Sequence, residues 1–497
     1  MKNILIAAAL LGLTGTTHAG TYKKAFENLK NKVSPAVLDQ FVPPPAPVSD
    51  VETVGPRVTM LLNAELSNQR EPVWPGYSVF GQPILIYEAG VRSFLIAHPN
   101  PPAGYTPVMS SPQPVFVKQG IIPDLNYIFQ FHRQINGVDS FAFRYEPGDR
   151  PDQGPRTIVH ERFHVFQKTG FTDTPYAPRS SEPDGEELAL AALEQKTLKR
   201  ALTAGDRAGS AHYVRQFLAI RGARYARQPD SRLLENNEER REGMARYVEE
   251  SLMDRADVEP VPGGAAGAII KSLDRSPAVN NMNKWRYYGT GAAQGLLLDR
   301  AGQNEWKKRV AAGSALFDIL AAAYPLLPGS EAGLVTEAKA ADNYAALLQA
   351  GTQTASAYQA LKSKAIAEYD NSPGIEWSFP YSSGGGGGFS SINPWYKLGN
   401  GETLMPKLQV YDISSDGYSL HFTDRPTIHG GDRGIRTHAA GSATLLLDGA
   451  PFTLADGVYQ FETLSLTEAG LALSITKPGA LTVTPNKAAI AFRDTMR

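Results

Sequence analysis

The chain has no cysteine in 497 residues. That excludes a disulfide framework, thiolate metal ligands and a lipid anchor on an N-terminal cysteine. A charge excess of one sign is missing too: 49 Lys and Arg stand against 50 Asp and Glu, interspersed along the chain. With no basic field to release phosphate counterions, no nucleic-acid partner is expected. Beyond the N-terminus no stretch reaches the roughly 18 uninterrupted apolar residues of a membrane helix, so stable membrane insertion is not expected either. Histidine is scarce, nine residues in all, which makes two of them within one short segment worth a chemical reading.

The N-terminus, MKNILIAAALLGLTGTTHAG, pairs one Lys with an apolar run from Ile4 to Leu13 and small residues before Gly20. This predicts a signal peptide over 1–19, cleaved after Ala19, and hence an exported protein, periplasmic or secreted. Residues 20–56 contain FVPPPAPVSD and read as a Pro-rich connector. From 57 to 150 short runs (VTMLL, PILIY, RSFLIAH, YIFQFHR, FAFRY) between Pro, Gly and Asn turns predict a β-rich region. From 151 to 380 the spacing turns helical, as in EELALAALEQKTLKRAL and SRLLENNEERREGMARYVEESL. SSGGGGGFSS then predicts a Gly-rich linker over 381–403, because five glycines lose much backbone entropy inside an element. Residues 404–497 alternate again, with turns every 8–12 residues, and predict a C-terminal β-sandwich. The expected fold class is multidomain α+β.

The helical region opens on TIVHERFHVFQKTG, residues 157–170. On a helix, side chains at i and i+4 share one face about 5–6 Å apart, so His160 and His164 can grip one small cation. Glu161 points to the side, free to act on water. This is the mechanics of H-E-x-x-H: two zinc ligands and a general base. Arg162 and Gln167 read as surface positions, and the remaining histidines, without partner spacing, as structural. A catalytic zinc takes a third protein ligand. No further His follows at a suitable spacing, so a carboxylate is expected, and two clusters compete: Glu186, Glu187 and Glu194 nearby, or Glu242 farther on. Met244, Tyr247, Val248 and Leu252 form an apolar stripe that makes the farther segment a packed helix.

Glu242-Gly243-Met244-Ala245-Arg246-Tyr247-Val248-Glu249 resembles the E-G-(apolar)-A-x-Y-(apolar)-E helix of the gluzincins, the zinc peptidase clan that includes aminopeptidase N. Tyr288-Gly289-Thr290-Gly291-Ala292 is similar to the Y-x-x-G-A start of a later helix in that clan, and the order His160, Glu161, His164, Glu242, Tyr288 is the clan's order. The resemblance spans about residues 155–310. It implies a zincin-like domain with one Zn²⁺ per chain on His160, His164 and Glu242, with Glu187 the main rival as third ligand. It implies Glu161 as general base, and Tyr288, or Tyr287 if the register is off by one, as donor to the developing oxyanion. The implied activity is hydrolysis of peptide bonds in a peptide or protein substrate. The sequence departs from the clan in the long segment between His164 and Glu242 and in lacking the G-A-M-E-N element of aminopeptidases. The alternative reading is an exported binding or surface-interaction protein whose β-modules recognise a polymer and whose zinc site is inactive or structural.

Overall fold

A computed structural model describes residues 51–492, apart from 89–90, 121–128, 146–152, 176–178, 180, 257–260, 276–277, 280, 382–385, 393, 400, 432–433 and 441. The expected signal peptide and nearly all of the Pro-rich connector lie outside the described residues. Helix exceeds strand, 46% against 28%, with a β-rich C-terminal region, so the α+β class holds. The chain divides into two compact units, each assembled from separated segments. The first takes the described residues up to Thr174, with Glu239–Ser272 and Gly291–Ala323; the second takes Pro175–Glu238, Leu273–Thr290 and the chain from Tyr324 on. The helical stretch expected as one domain is therefore shared between two cores. Helical periodicity identifies an apolar face but not the core that receives it.

The first unit begins with helix α1 (Val51–Arg70), where the connector and then a strand were expected. Gly55 takes φ 78° and Pro56 restarts the helical run, a position that suits a residue with no N–H to donate. VTMLL was read as β from too short a window. Buried Val54, Val58, Leu61, Leu62 and Leu66 follow helical spacing across the longer segment. Six strands follow: β1 (Ile84–Glu88), β2 (Arg92–Ile96), β3 (Thr106–Met109), β4 (Val115–Gln119), β5 (Phe129–Ile135) and β6 (Val138–Tyr145). They form one sheet in the order β3-β4-β2-β1-β6-β5, with only β1 and β6 parallel. Two of them, β3 and β4, went unread because Pro107, Pro112 and Pro114 interrupt their pattern. Helix α2 (Gln153–Gly170) packs against α1, against β5 and β6, and against a later helix, α6 (Met244–Arg255).

In the second unit lie α3 (Gly185–Thr203), α4 (Arg207–Arg227) and α5 (Pro229–Glu238). Asp184 caps α3 by accepting the Glu187 N–H at 2.8 Å, and Asp206 caps α4 by accepting the Gly209 N–H at 2.7 Å. The described strands β7 (Ile375–Phe379) to β19 (Lys487–Phe492) form one hydrogen-bonded network. Trp377 and Phe379 at the centre of the strand order share a cluster with Leu464 and Leu473 toward one end and Leu481 and Phe461 toward the other, so the sheet folds over on itself around one core. The β-rich region thus starts at Ile375, ahead of the expected 404. The linker reading of 381–403 is corrected here: β8 (Gly386–Ile392) and β9 (Tyr396–Gly399) pair antiparallel with β10 (Glu402–Ser415). Glycine's entropic cost stands, but a ladder to a 14-residue strand offsets it by bonding the backbone along its length.

Candidate metal centre

The metal-centre residues of the first unit come from α2 and from a single helical run in which five residues, Glu239–Gly243, form a π-helical turn between α5 and α6. Such turns insert one residue into a helix and swing the side chains within it. Arg240, mostly buried, anchors this one: its guanidinium donates to the carbonyls of Thr172 at 2.6 Å, Val310 at 2.7 Å and Ala311 at 3.1 Å. The last two are end carbonyls of helix α9 (Trp306–Ala311), which also accept the Gly313 N–H at 3.1 Å and the Thr172 N–H at 2.8 Å. The charged run EERRE is mostly interior: Glu239, Arg240 and Glu242 are buried.

Helix α2 is held from behind by the segment after α1. Tyr77 donates its hydroxyl to the Val159 carbonyl at 3.1 Å, Trp74 meets Phe163 edge-on at 5.3 Å, and Arg162 bonds the Val79 carbonyl and Gln82. Glu65 accepts the Val79 N–H and the Ser78 hydroxyl, each at 2.8 Å. Arg162 and Gln167, expected at the surface, are both buried, because their partners come from distant segments that local spacing does not reveal.

On the front of α2 the rings of His160 and His164 lie 4.8 Å apart, nearly perpendicular. Their Nε2 atoms stand 3.2 and 3.1 Å from the same oxygen, Oε2 of Glu242. The opposite ring nitrogens are also engaged. His160 Nδ1 lies 3.1 Å from Glu249 Oε2, and an ionised carboxylate only accepts, so Nδ1 carries the proton. His164 Nδ1 lies 2.8 Å from Gln167 Oε1. The Gln167 amide cannot be turned over, because its nitrogen donates to the carbonyls of Arg240 at 3.2 Å and Arg241 at 3.0 Å. Both histidines therefore turn Nε2 toward one carboxylate oxygen, and when the Nε2 atoms are unprotonated the three converging donors are arranged to share a cation. In a tetrahedral zinc site with bonds of about 2.0–2.1 Å the ligand atoms sit about 3.3 Å apart, close to the two separations from Glu242 Oε2. His160, His164 and Glu242 thus form a mostly buried group that could hold a metal ion, all three ligand atoms lying within 4.8 Å of one another.

Without an ion between them, the carboxylates favour the protonated form of His160. Burial would lower the His160 pKa, but hydrogen bonds to Glu242 and Glu249, with the charges of Glu249 and Glu161, outweigh it and push it up to about 9. Burial would raise Glu242, but His160, His164 and Arg241 hold its carboxyl well below the usual range. Arg241 engages Glu242 Oε1 at 3.1 Å, which leaves Oε2 for the histidines. Glu249 is kept low by Arg246, His160 and Arg156 against its own burial. Glu242 and Glu249, seven residues apart, share one face of the run and occupy the two nitrogens of His160 between them. Sequence reasoning gave roles to neither Glu249 nor Gln167. The signals were present, since Gln167 stands three residues after His164 and Glu249 two turns after Glu242.

Glu161 follows His160 on α2, half-buried and outside the converging set. Tyr288 lies near the start of α8 (Arg286–Arg300), in the part of that helix belonging to the second unit, half-buried and stacked on Trp285 at 5.6 Å. Tyr287 is fully buried and donates its hydroxyl to the Met282 carbonyl, a core role. The rival ligand Glu187 is inside the second unit, where Arg224 at 2.7 Å and Arg179 at 3.1 Å hold its carboxylate. Among other histidines, His98 accepts the Asn100 N–H, and His132 and His212 pair with Asp139 and Glu337 near the surface.

Gly291, farther along α8 and in the first unit, explains one motif glycine. A Cβ there would stand 2.7 Å from the Glu239 carbonyl oxygen and 2.8 Å from Gly243 Cα. Both are backbone atoms of the π turn. Gly291→Ala is expected to destabilise the protein by about 1–3 kcal/mol through overpacking and to weaken metal binding as the Glu242 turn is displaced. Urea unfolding and a metal titration on the same preparation check it, and parental values in both would mean that the turn yields freely.

No family model matches this chain, and neither does any curated protein or solved structure. Among the described residues no helix is long and apolar enough to cross a membrane.

Proposed function

We propose that the chain is an exported zinc-dependent hydrolase of the gluzincin type, a metallopeptidase that cleaves peptide bonds. The observation that carries this reading is the convergence of His160 Nε2, His164 Nε2 and Glu242 Oε2, with the far side of each imidazole fixed by Glu249 or Gln167. Neutral imidazoles held as Nε2 donors by their Nδ1–H partners are the arrangement that metal-ligating histidines use. Zinc in such a site polarises a carbonyl oxygen and makes water a nucleophile near neutral pH.

His160, His164 and Glu242 would hold the ion and Glu249 would keep His160 basic. Three protein ligands leave a fourth position for substrate, as a hydrolytic site requires and a closed structural site does not. Glu161, beside His160 and outside the ligand set, accepts the proton of the attacking water and returns it to the leaving amine. The resemblance gives Tyr288 the role of donor to the oxyanion, where one aligned donor is worth about 2.7–4 kcal/mol. In this reading the unit built on α2 and α6 is zincin-like, the C-terminal sheet is a sandwich, and residues 1–19 direct export.

Zinc content per chain, measured by plasma mass spectrometry after exhaustive dialysis, tests the reading on the parent, Glu242→Gln and Glu187→Gln. About one zinc is expected in the parent and little in Glu242→Gln. Glu187→Gln should keep its zinc and lose stability, since its carboxylate serves Arg179 and Arg224. A parent that holds no metal after refolding with zinc would sink the proposal and favour the binding-protein alternative. A zinc-loaded parent that leaves a peptide library intact would keep the site and remove peptides as substrate.

A further inference from the structure

Gln167 touches both ligand-bearing elements of the metal centre. It lies one turn after His164 on α2, mostly buried, and accepts the His164 Nδ1–H at 2.8 Å. Its amide nitrogen donates to two successive carbonyls, Arg240 at 3.2 Å and Arg241 at 3.0 Å. Those carbonyls belong to the π turn that carries Glu242. A π turn displaces carbonyls from the regular i→i−4 ladder and makes them available to outside donors. The next residue after the second carbonyl is the ligand itself. One planar amide therefore sets the rotation of one imidazole and the height of the turn that presents the carboxylate.

We infer that Gln167 is a positioning residue that registers the two ligand elements against each other, so that His164 Nε2 and Glu242 Oε2 meet at one point. The inference rests on the metal reading of the site. It assigns Gln167 no contact with substrate or metal. Glu249 ties His160 to α6 beyond the ligand, whereas Gln167 ties α2 to the backbone of the π turn itself. Gln167 links the two, with a donor on one side and an acceptor on the other. Partners of this kind typically contribute 10–100-fold to metal affinity.

Co²⁺ added to the metal-free full-length protein is a suitable probe, with affinity read by chelator competition and ligand geometry by the visible absorption bands. Gln167→Met keeps the length of the side chain and removes both polar functions. It is expected to weaken Co²⁺ binding about 10–100-fold and to shift the bands. Gln167→Glu, which keeps an acceptor for the His164 Nδ1–H, is expected to recover part of the loss. Should the methionine variant not fold, Gln167→Asn keeps the amide but stops one methylene short of His164, and the same loss is expected. A variant lacking the contact that binds Co²⁺ within threefold of the parent, with unshifted bands, overturns the inference. So does Gln167→Glu that binds no better than Gln167→Met, because a role in packing alone would treat the two alike. A parent that takes up no Co²⁺ at all overturns the metal reading and this inference with it, whereas a binding parent with an unaffected methionine variant overturns the role of Gln167 alone.

Discussion

Glu161→Gln is expected to bind zinc as the parent does and to lose about 10²–10⁴-fold in turnover on peptides, the span associated with general-base catalysis. The glutamine keeps the shape of the side chain but cannot take the proton of the attacking water. The zinc should stay because Glu161 is outside the set of three converging ligand atoms. Helical geometry explains why: one residue past His160 the side chain points about 100° away from the ligand face. Measuring kcat and zinc content on the same samples separates the outcomes. A variant that keeps its zinc and the parent's rate takes Glu161 out of the mechanism. A variant that loses both would make Glu161 a ligand and Glu242 a bystander.

The second large effect concerns stability and is independent of any activity. Glu194→Ala is expected to destabilise the second unit by about 3–5 kcal/mol, the usual cost of breaking a buried ion pair from one side. In the parent, Glu194 is fully buried and accepts from Arg224 at 2.6 Å, Arg286 at 2.7 Å and Arg221 at 3.0 and 3.1 Å. Glu235 shares Arg224 and Arg286 with it, and Glu187 shares Arg224. With Glu194 removed, the buried guanidiniums of Arg221, Arg224 and Arg286 each lose a counter-charge. Against a total stability of about 5–15 kcal/mol this is a large fraction.

The same network sets an acid limit. Burial alone would raise the pKa of Glu194 and Glu235, but the surrounding arginines outweigh it and hold both below the usual carboxylate range. A carboxylate with a depressed folded-state pKa adds stability that is fully present above its unfolded value, about 4.3, and that is lost as pH falls through the folded value. Parent stability should therefore begin to drain below about pH 4, and the gap between parent and Glu194→Ala should narrow over the same range. Urea midpoints at pH 7 and pH 3.5 read this directly. Coincident midpoints at pH 7 would mean that the network costs as much to desolvate as its pairings return.

How far each feature could be read from the sequence follows how local its cause is. His160, Glu161 and His164 were legible because an i, i+4 pair needs only a helix, and the helix is written in Ile158, Val159 and Phe163. Glu242 was legible only through the pattern E-G-x-A-x-Y, since nothing in its spacing from His164 selects it over Glu187. VTMLL failed as a strand because five residues cannot distinguish the two periods. The glycines of β8 failed as a linker because their partner strand begins ten residues after the strand ends, at Glu402.

By itself the sequence determined the α+β composition, the run of helices expected from 151 onward, the β-rich C-terminal region and the identity of the paired histidines, because each depends on periodicity or on contacts within a turn or two. Tertiary structure decided the rest. It split the helices between two cores, placed Glu187 among buried arginines, and brought Glu242 to the histidines on a π turn anchored by Arg240. It also turned Gln167 and Glu249 from unremarkable polar residues into the partners that fix each imidazole. The physical reason is common to all of these: a buried charge or amide is defined by what closes over it, and those groups arrive from segments tens of residues away.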